Sequence, residues 1–247
     1  MAVVYKKPDT ILRPMSWCPG CGHGVITRMI MECLDELSLV DKTISVVDIG
    51  CSYWEADGCD LEFIAGPHGR CAAVATAVKK VRPNSFVYVH AGDGCSYSIG
   101  LTETFYAALR DIPISMIVVN NGVFGMTGGQ MCPATTLLGD KTVSTKAGRD
   151  VLQAGHPVDM LEVLKPCNVE FLARGTVTDP KAVEQTKRYI KKAFENQINK
   201  KGFSLVEIIS PCPTNCHLSP VDSMKKIKNE CEKVFPLGVF ADRGGHQ

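Results

Sequence analysis

The sequence lacks an excess of charge of either sign. Among its 247 residues, 27 Lys and Arg are matched by 26 Asp and Glu, which leaves a net charge of +1. Nucleic acids and anionic membrane surfaces are bound through strongly basic patches. The composition therefore predicts neither a nucleic-acid partner nor a membrane partner.

Long apolar segments are also missing. The run Ile114–Val119, nearly all apolar, is far shorter than the roughly 20 residues that span a bilayer. The first residues, Met-Ala-Val-Val-Tyr-Lys-Lys-Pro, lack the apolar core and the small-residue cleavage site of a secretory signal. We therefore expect a cytoplasmic protein. Repeats, low-complexity tracts and long linkers are absent too, and the length suits one large domain or a compact domain with appendages.

Apolar residues recur at helix or strand spacing along most of the chain. Helices are predicted over residues 25–37, 70–81, 101–109, 157–164 and 180–199. Strands are predicted over residues 44–49, 86–91, 114–119, 169–173 and 203–209. This alternation indicates a doubly wound α/β fold, and near-continuous apolar strands are typical of a mostly parallel sheet covered on both faces. In such sheets, ligands bind at the carboxyl ends of the strands.

Two of the predicted strands end in residue types that bind Mg²⁺. Gly92-Asp93-Gly94 follows one strand, and Asn120-Asn121-Gly122 follows the next. Carboxylate and amide oxygens suit Mg²⁺, and glycines let the backbone approach a diphosphate. Each motif alone is typical of an ordinary turn. However, one helix and one strand separate them, so adjacent parallel strands would bring the two turns together.

Twelve cysteines are many for a cytoplasmic chain of this length. Cys33, Cys71 and Cys167 lie in apolar-patterned segments, where cysteine packs as a small hydrophobic residue. Others lie beside Gly and Pro, as in Cys18-Pro19-Gly20-Cys21 and Cys212-Pro213-Thr214-Asn215-Cys216. Packing does not account for this second group, which requires a chemical interpretation.

Three interpretations of these cysteines compete. A thioredoxin-like redox pair at Cys18 and Cys21 should follow a strand, but an irregular Lys- and Pro-containing stretch precedes it. A structural zinc ion can be held by Cys18, Cys21, Cys212 and Cys216. A [4Fe–4S] cluster held by four thiolates is the third possibility.

Several motifs together point to a known family. The Gly-Asp-Gly and Asn-Asn pair resembles the thiamine-diphosphate motif, and Thr127-Gly128-Gly129-Gln130 resembles the 2-oxoacid:ferredoxin oxidoreductases. The other matching motifs are Trp17-Cys18-Pro19-Gly20-Cys21-Gly22-His23-Gly24, Gly50-Cys51-Ser52, His68-Gly69-Arg70 and Cys212-Pro213-Thr214-Asn215. From Pro14 to about Pro220, the chain looks like the beta subunit of the 2-oxoglutarate or 2-oxoisovalerate group.

This resemblance implies a set of cofactor ligands. Asp93 and the Asn121 side chain would bind Mg²⁺, with the Val123 carbonyl as third ligand. The diphosphate or thiazolium of thiamine diphosphate would be lined by Gly92, Gly94, Thr127, Gly128 and Gly129. One [4Fe–4S] cluster would be held by Cys18, Cys21, Cys51 and Cys212, with Cys216 as a non-ligand.

His68 and Arg70 are the candidate catalytic residues. They open a predicted helix, where the N-terminus and a cation favour a diphosphate or a substrate carboxylate. A helix cap with exposed charges is the alternative. Two segments depart from the family pattern, Gly94-Cys95-Ser96-Tyr97 and Tyr53-Trp54-Glu55. They leave the identity of the 2-oxoacid open. The roles of His23, Cys95 and Cys216 are open as well.

The implied activity is the oxidative decarboxylation of a 2-oxoacid to an acyl-CoA and CO₂, with electrons passed through the cluster to ferredoxin. In the family, the activating Glu comes from a partner subunit, and no residue here matches it, so we expect this chain to be active only with an alpha subunit. Gamma or delta subunits with further clusters are also expected. The implied segments are 1–24 for cluster binding, 25–220 for thiamine diphosphate, and 221–247 as a C-terminal helix and tail. The alternative function is a zinc-stabilised α/β nucleotide-binding protein without redox activity.

Overall fold

Strand–helix alternation produces one large sheet in the computed structural model, which describes residues 6–245. The strands are β1 (Thr43–Asp48), β2 (Glu62–Gly66), β3 (Phe86–Gly92), β4 (Ser115–Asn120), β5 (Val123–Phe124), β6 (Gln130–Met131), β7 (Phe171–Thr176), β8 (Ser204–Ile209) and β9 (Gly238–Asp242). Seven of them form a sheet in the order β2-β1-β3-β4-β8-β7-β9. All neighbours in this sheet pair in parallel except β9, which runs antiparallel to β7. The predicted mostly parallel α/β fold is confirmed.

The helices connect these strands and cover the sheet. They are α1 (His23–Glu36), α2 (Trp54–Gly58), α3 (Cys71–Val81), α4 (Leu101–Leu109), α5 (Val151–Ala154), α6 (Met160–Leu164), α7 (Pro180–Ile198), α8 (Pro213–Cys216), α9 (Pro220–Lys226) and α10 (Glu232–Val234). Within residues 6–245, none of them has the length and apolar character needed to cross a bilayer.

Apolar layers lie on both faces of the sheet, and β4 shows why its sequence is almost entirely apolar. Met116 and Val118 pack into the layer that contains the small residues of α3 and α4. Ile117 and Val119 point to the opposite layer, which contains α1 and α7. Because alternate residues of a strand face opposite sides, burial on both faces requires apolar residues at every position.

The sequence-based prediction missed several elements. Strand β2 lies at one edge of the sheet and β9 at the other, and β5 and β6 form a separate two-stranded hairpin. The division into segments 1–24, 25–220 and 221–247 stays a prediction, although β9 places part of the last segment in the main sheet. Residues 1–5 and 246–247, the outer ends of these segments, lie outside the described residues.

A buried ionic network joins the centre of the sheet to the turn after β4. The Arg174 guanidinium donates to Glu207 (Nε to Oε2, 2.7 Å) and to Asp159 (Nη2 to Oδ1, 2.6 Å). Asn120 donates from Nδ2 to the other Glu207 oxygen at 2.6 Å. Burial raises the pKa of Glu207, although Arg174 and Asn120 oppose that shift. The network therefore holds the side chain of Asn120, the last residue of β4, and so fixes the start of the turn that contains Asn121.

We expect replacement of Arg174 by methionine to destabilise the protein by about 3–5 kcal/mol, because it leaves the Glu207 charge buried and unpaired. Urea unfolding measures the loss. Lys225→Met is the matched control, since Lys225 pairs with Asp222 at 3.0 Å on the surface, with half or more of each side chain exposed, and such pairs contribute about 0–1 kcal/mol. Equal losses in the two variants would contradict this role of Arg174.

Candidate functional site

The carboxyl ends of neighbouring parallel strands meet around one cavity of about 230 Å³. Its wall is built from the turn after β1, the end of β3, the hairpin after β4, and two histidines from other elements. The lining includes Asp48, Gly50, Cys51, Gly92, Asp93, Gly94, Cys95, Asn121, Val123, Phe124, Thr127, His23 and His68. A second cavity of about 330 Å³ lies on the β8 side and shares Asn121 and Val123 with the first.

Asp93 is the buried carboxylate of this site. It accepts hydrogen bonds from the Gly94 amide at 3.0 Å, from the Gly122 amide at 2.9 Å, and from the Thr135 hydroxyl. Burial raises the pKa of Asp93 to about 6, although these three donors oppose the shift. Because its described partners are neutral donors, a bound cation would stabilise this carboxylate.

Two positions close to Asp93, Gly94 and Gly122, require glycine. A Cβ on Gly94 would lie 2.3 Å from the Phe124 ring, so any side chain would displace that ring from the cavity wall. Gly122 has a φ of +75°, a left-handed conformation that glycine adopts without steric cost and that aims its amide at Asp93. The two predicted turns therefore meet, as the sequence indicated.

The hairpin β5–β6 contains the predicted Thr127, Gly128 and Gly129. Thr127 lines the cavity and donates its hydroxyl hydrogen to Gln130 at 2.6 Å. Gly128 and Gly129 form the turn, with φ values of +108° and +88°. A Cβ on Gly129 would lie 2.8 Å from Asn215. The structure thus brings Thr127 to the cavity and uses the two glycines to shape the hairpin.

The two candidate catalytic residues differ in where they point. His68 lines the cavity, and its Nδ1 lies 2.7 Å from Asp48 Oδ1. This hydrogen bond, with a further contribution from Cys95, raises the pKa of His68 to about 10. Arg70 instead pairs with Glu103 on α4 and is not part of the cavity lining. His68 therefore presents a cation to the cavity, whereas Arg70 joins α3 to α4.

The four cysteines predicted to hold a cluster come together beside the cavity. Burial raises the pKa of Cys51 to about 12, and the thiols of Cys21, Cys212 and Cys18 contribute further. Burial likewise raises the pKa of Cys21 to about 11, with contributions from Cys212 and Cys18. Burial raises the pKa of Cys216 to about 11, and Cys212 contributes further.

Side-chain contacts hold this cysteine group in place. The indole of Trp17 donates to the Cys51 carbonyl at 2.8 Å, which ties the N-terminal segment to the turn after β1. Asn215 donates from Nδ2 to the Gly125 carbonyl at 3.1 Å and lies 3.4 Å from Cys212 Sγ. These contacts connect the N-terminal segment to the turn after β1, and the β5–β6 hairpin to the turn after β8, around the cysteine group.

Sequence reasoning missed a buried polar group behind the cavity. Glu55 accepts hydrogen bonds from Ser45 at 3.0 Å and from Tyr88, and His90 Nδ1 lies 2.6 Å from its other oxygen. The rings of His90 and His23 are neighbours, with centroids 5.9 Å apart. These partners are far apart in sequence, and no local motif marks them.

Comparisons with known proteins agree with this geometry. The family model described as "Thiamine pyrophosphate enzyme, C-terminal TPP binding domain" matches residues 48–208. Ketoisovalerate oxidoreductase subunit VorA of Methanothermobacter thermautotrophicus is 40% identical over 98% of this chain and 50% of its own length. The 2-oxoglutarate synthase subunit KorB of Archaeoglobus fulgidus is 33% identical over 89% of this chain and 78% of its own length. The chain spans about half the length of the VorA relatives.

A solved structure has the same fold. The 2-oxoglutarate:ferredoxin oxidoreductase from Magnetococcus marinus superposes with a TM-score of 0.78, at 24% identity, over 96% of this chain and 85% of that one. The family model covers more than half of the chain, and the KorB relative is matched over more than two thirds of its length. The chain therefore belongs to the 2-oxoacid:ferredoxin oxidoreductase family and carries its thiamine pyrophosphate-binding domain.

Proposed function

We propose that the chain is the beta subunit of an enzyme that converts a 2-oxoacid and CoA to an acyl-CoA and CO₂ and passes the electrons to ferredoxin. The observation that carries this proposal is the position of Cys51, which lines the same cavity as Asp93 and Asn121. This position supports a thiamine cofactor with a thiolate-bound electron acceptor directly beside it. Relatives named for ketoisovalerate and 2-oxoglutarate support a 2-oxoacid substrate.

The cavity residues fit thiamine diphosphate and Mg²⁺. Asp93, Asn121 and the Val123 carbonyl supply oxygen ligands, which Mg²⁺ completes with phosphate oxygens and water. Thiamine diphosphate, when bound, supplies the electron sink that lets CO₂ leave a 2-oxoacid. His68 holds a proton at the cavity wall through Asp48 and can donate a hydrogen bond to an anionic substrate.

The cysteine geometry supports a [4Fe–4S] cluster over a single zinc ion. Zinc, with Zn–S bonds of about 2.3 Å, holds its four sulfurs about 3.8 Å apart. Within residues 6–245, no three sulfurs from Cys18, Cys21, Cys51, Cys212 and Cys216 lie within 4.8 Å of one another. Four thiolates on a larger cluster need no such trio, and the thiols of Cys21, Cys212 and Cys18 all contribute to the raised pKa of Cys51.

A partner subunit completes the site in this proposal. Within the described residues, no glutamate lines the cavity that contains Asp93, so an alpha subunit supplies the activating Glu. The Phe124 ring also borders an open apolar groove of about 690 Å³ that includes Ile99, Leu101 and Val163, a surface on which that subunit can dock. Gamma or delta subunits and ferredoxin complete the electron path, in the cytoplasm, where thiols stay reduced.

Replacement of Asp93 by asparagine tests the cofactor site. We expect the affinity for thiamine diphosphate in the presence of Mg²⁺ to fall roughly 10- to 100-fold, because a charged ligand worth about 1.5–3 kcal/mol is lost. Isothermal titration calorimetry with and without Mg²⁺ measures the change. Asp222→Asn, at the exposed start of α9, is the control and should bind as the wild type does. An Mg²⁺-dependent affinity that survives in the Asp93 variant would refute this ligand.

Serine replacement of Cys51 and of Cys216 separates the two metal models. The cluster model predicts that Cys51→Ser loses most of its iron and acid-labile sulfide, whereas Cys216→Ser keeps about four of each per chain. The zinc model predicts the reverse, with metal lost only from Cys216→Ser. Iron, sulfide and zinc analysis of anaerobically purified protein decides between the two.

The pair of His68 and Asp48 predicts a pH-dependent contribution to stability. Because folding raises the pKa of His68 from 6.5 to about 10, its contribution is complete below pH 6.5 and is lost as the pH rises through about 10. The difference in Tm between the wild type and Asp48→Asn should therefore be largest near pH 6 and shrink towards pH 10. Asp41→Asn, at an exposed position, is the control. A difference that does not vary with pH would count against a protonated His68.

A further inference from the structure

His23 occupies an unusual position for a polar side chain. It is the first residue of α1, is 1% exposed, and lines the cavity that contains Asp93. Its Nδ1 lies 3.2 Å from Cys21 Sγ. The imidazole therefore lies in the wall between the cavity and the cysteine group, with a sulfur atom as its hydrogen-bond partner.

The rings around His23 restrict its orientation. Trp17 stacks on one side, with ring centroids 5.8 Å apart and an interplanar angle of 27°. His90 packs with a centroid distance of 5.9 Å and is itself held through its Nδ1 by Glu55 at 2.6 Å. Because Glu55 also accepts from Ser45 and Tyr88, the His90 ring is fixed. These two neighbouring rings restrict the His23 imidazole, whose Nδ1 faces Cys21 Sγ.

This arrangement is more specific than apolar packing would require. A leucine would fill the space between two rings without the cost of burying a polar imidazole. His90 Nε2 is likewise buried and has no hydrogen-bond partner among the described residues. Two buried imidazoles are therefore neighbours, and one of them, His23, makes a polar contact with Cys21 Sγ.

We propose that His23 donates its Nδ1 hydrogen to Cys21 Sγ when that thiolate holds the [4Fe–4S] cluster, and that this hydrogen bond raises the reduction potential of the cluster. The inference rests on the cluster ligands proposed above. A ligating thiolate can only accept, and imidazole can carry a hydrogen on Nδ1 in either protonation state. A donor to a ligand sulfur stabilises the reduced cluster, which carries more negative charge. His23 is thus a positioning residue that makes the cluster beside the cavity easier to reduce.

A pair of variants separates the hydrogen bond from packing. His23→Asn keeps an N–H donor close to the position of Nδ1, and His23→Leu fills similar space without a donor. The full chain, purified anaerobically with the subunits that accompany it, is titrated with dithionite while EPR follows the cluster. We expect a more negative midpoint potential for His23→Leu and a value close to the wild type for His23→Asn. His156→Leu, at an exposed histidine outside the site, should leave the potential unchanged.

A second measurement uses the unmodified protein, so the inference remains testable if His23→Leu does not fold. With histidine labelled with ¹⁵N only in its imidazole ring, pulsed EPR of the reduced wild-type cluster should show a nitrogen coupling, and His23→Asn should lose it. Unchanged potentials in both variants at full iron content, or no ¹⁵N coupling in the wild type, would overturn the role of His23 alone. Wild-type protein without iron would instead overturn the cluster ligands proposed above, and this inference with them.

Discussion

The parallel pairing of β1, β3, β4 and β8 is the constraint on which the site depends. Each of these strands ends at the same edge of the sheet and contributes one component there: Cys51 after β1, Asp93 after β3, Asn121 after β4 and Cys212 after β8. If one of these strands ran in the opposite direction, its component would lie a strand length away. The arrangement of the proposed oxygen and sulfur ligands is therefore a property of the sheet as a whole.

Buried polar groups then orient what the sheet brings together. The network of Arg174, Glu207 and Asn120 fixes the end of β4, and the group centred on Glu55 fixes His90 next to His23. Each network buries ionisable groups, which costs free energy unless every partner is present. Such groups make the geometry of the cavity wall sensitive to substitutions away from the proposed ligands.

Local sequence patterns predicted the fold better than they predicted the site. The central strands were recognisable because strands buried on both faces are near-continuous apolar runs. Strands β2 and β9 lie at the edges of the sheet and lack such a run. The turns around Asp93 and Asn121 were recognisable because their residues are contiguous. The contacts of His23 with Cys21 and of Arg70 with Glu103 depend on side-chain direction, which periodicity does not specify.

The position of β8 between β4 and β7 has a consequence for how such a protein matures. During synthesis, the segment with Cys18, Cys21 and Cys51 leaves the ribosome first, but Cys212 follows a strand that inserts into the middle of the sheet. Domains complete their folding only when their last central element has emerged. If these four thiols bind a cluster, iron delivery waits until β8 has been synthesised, and a chain interrupted before β8 offers an incomplete set of sulfur ligands to the machinery that loads it.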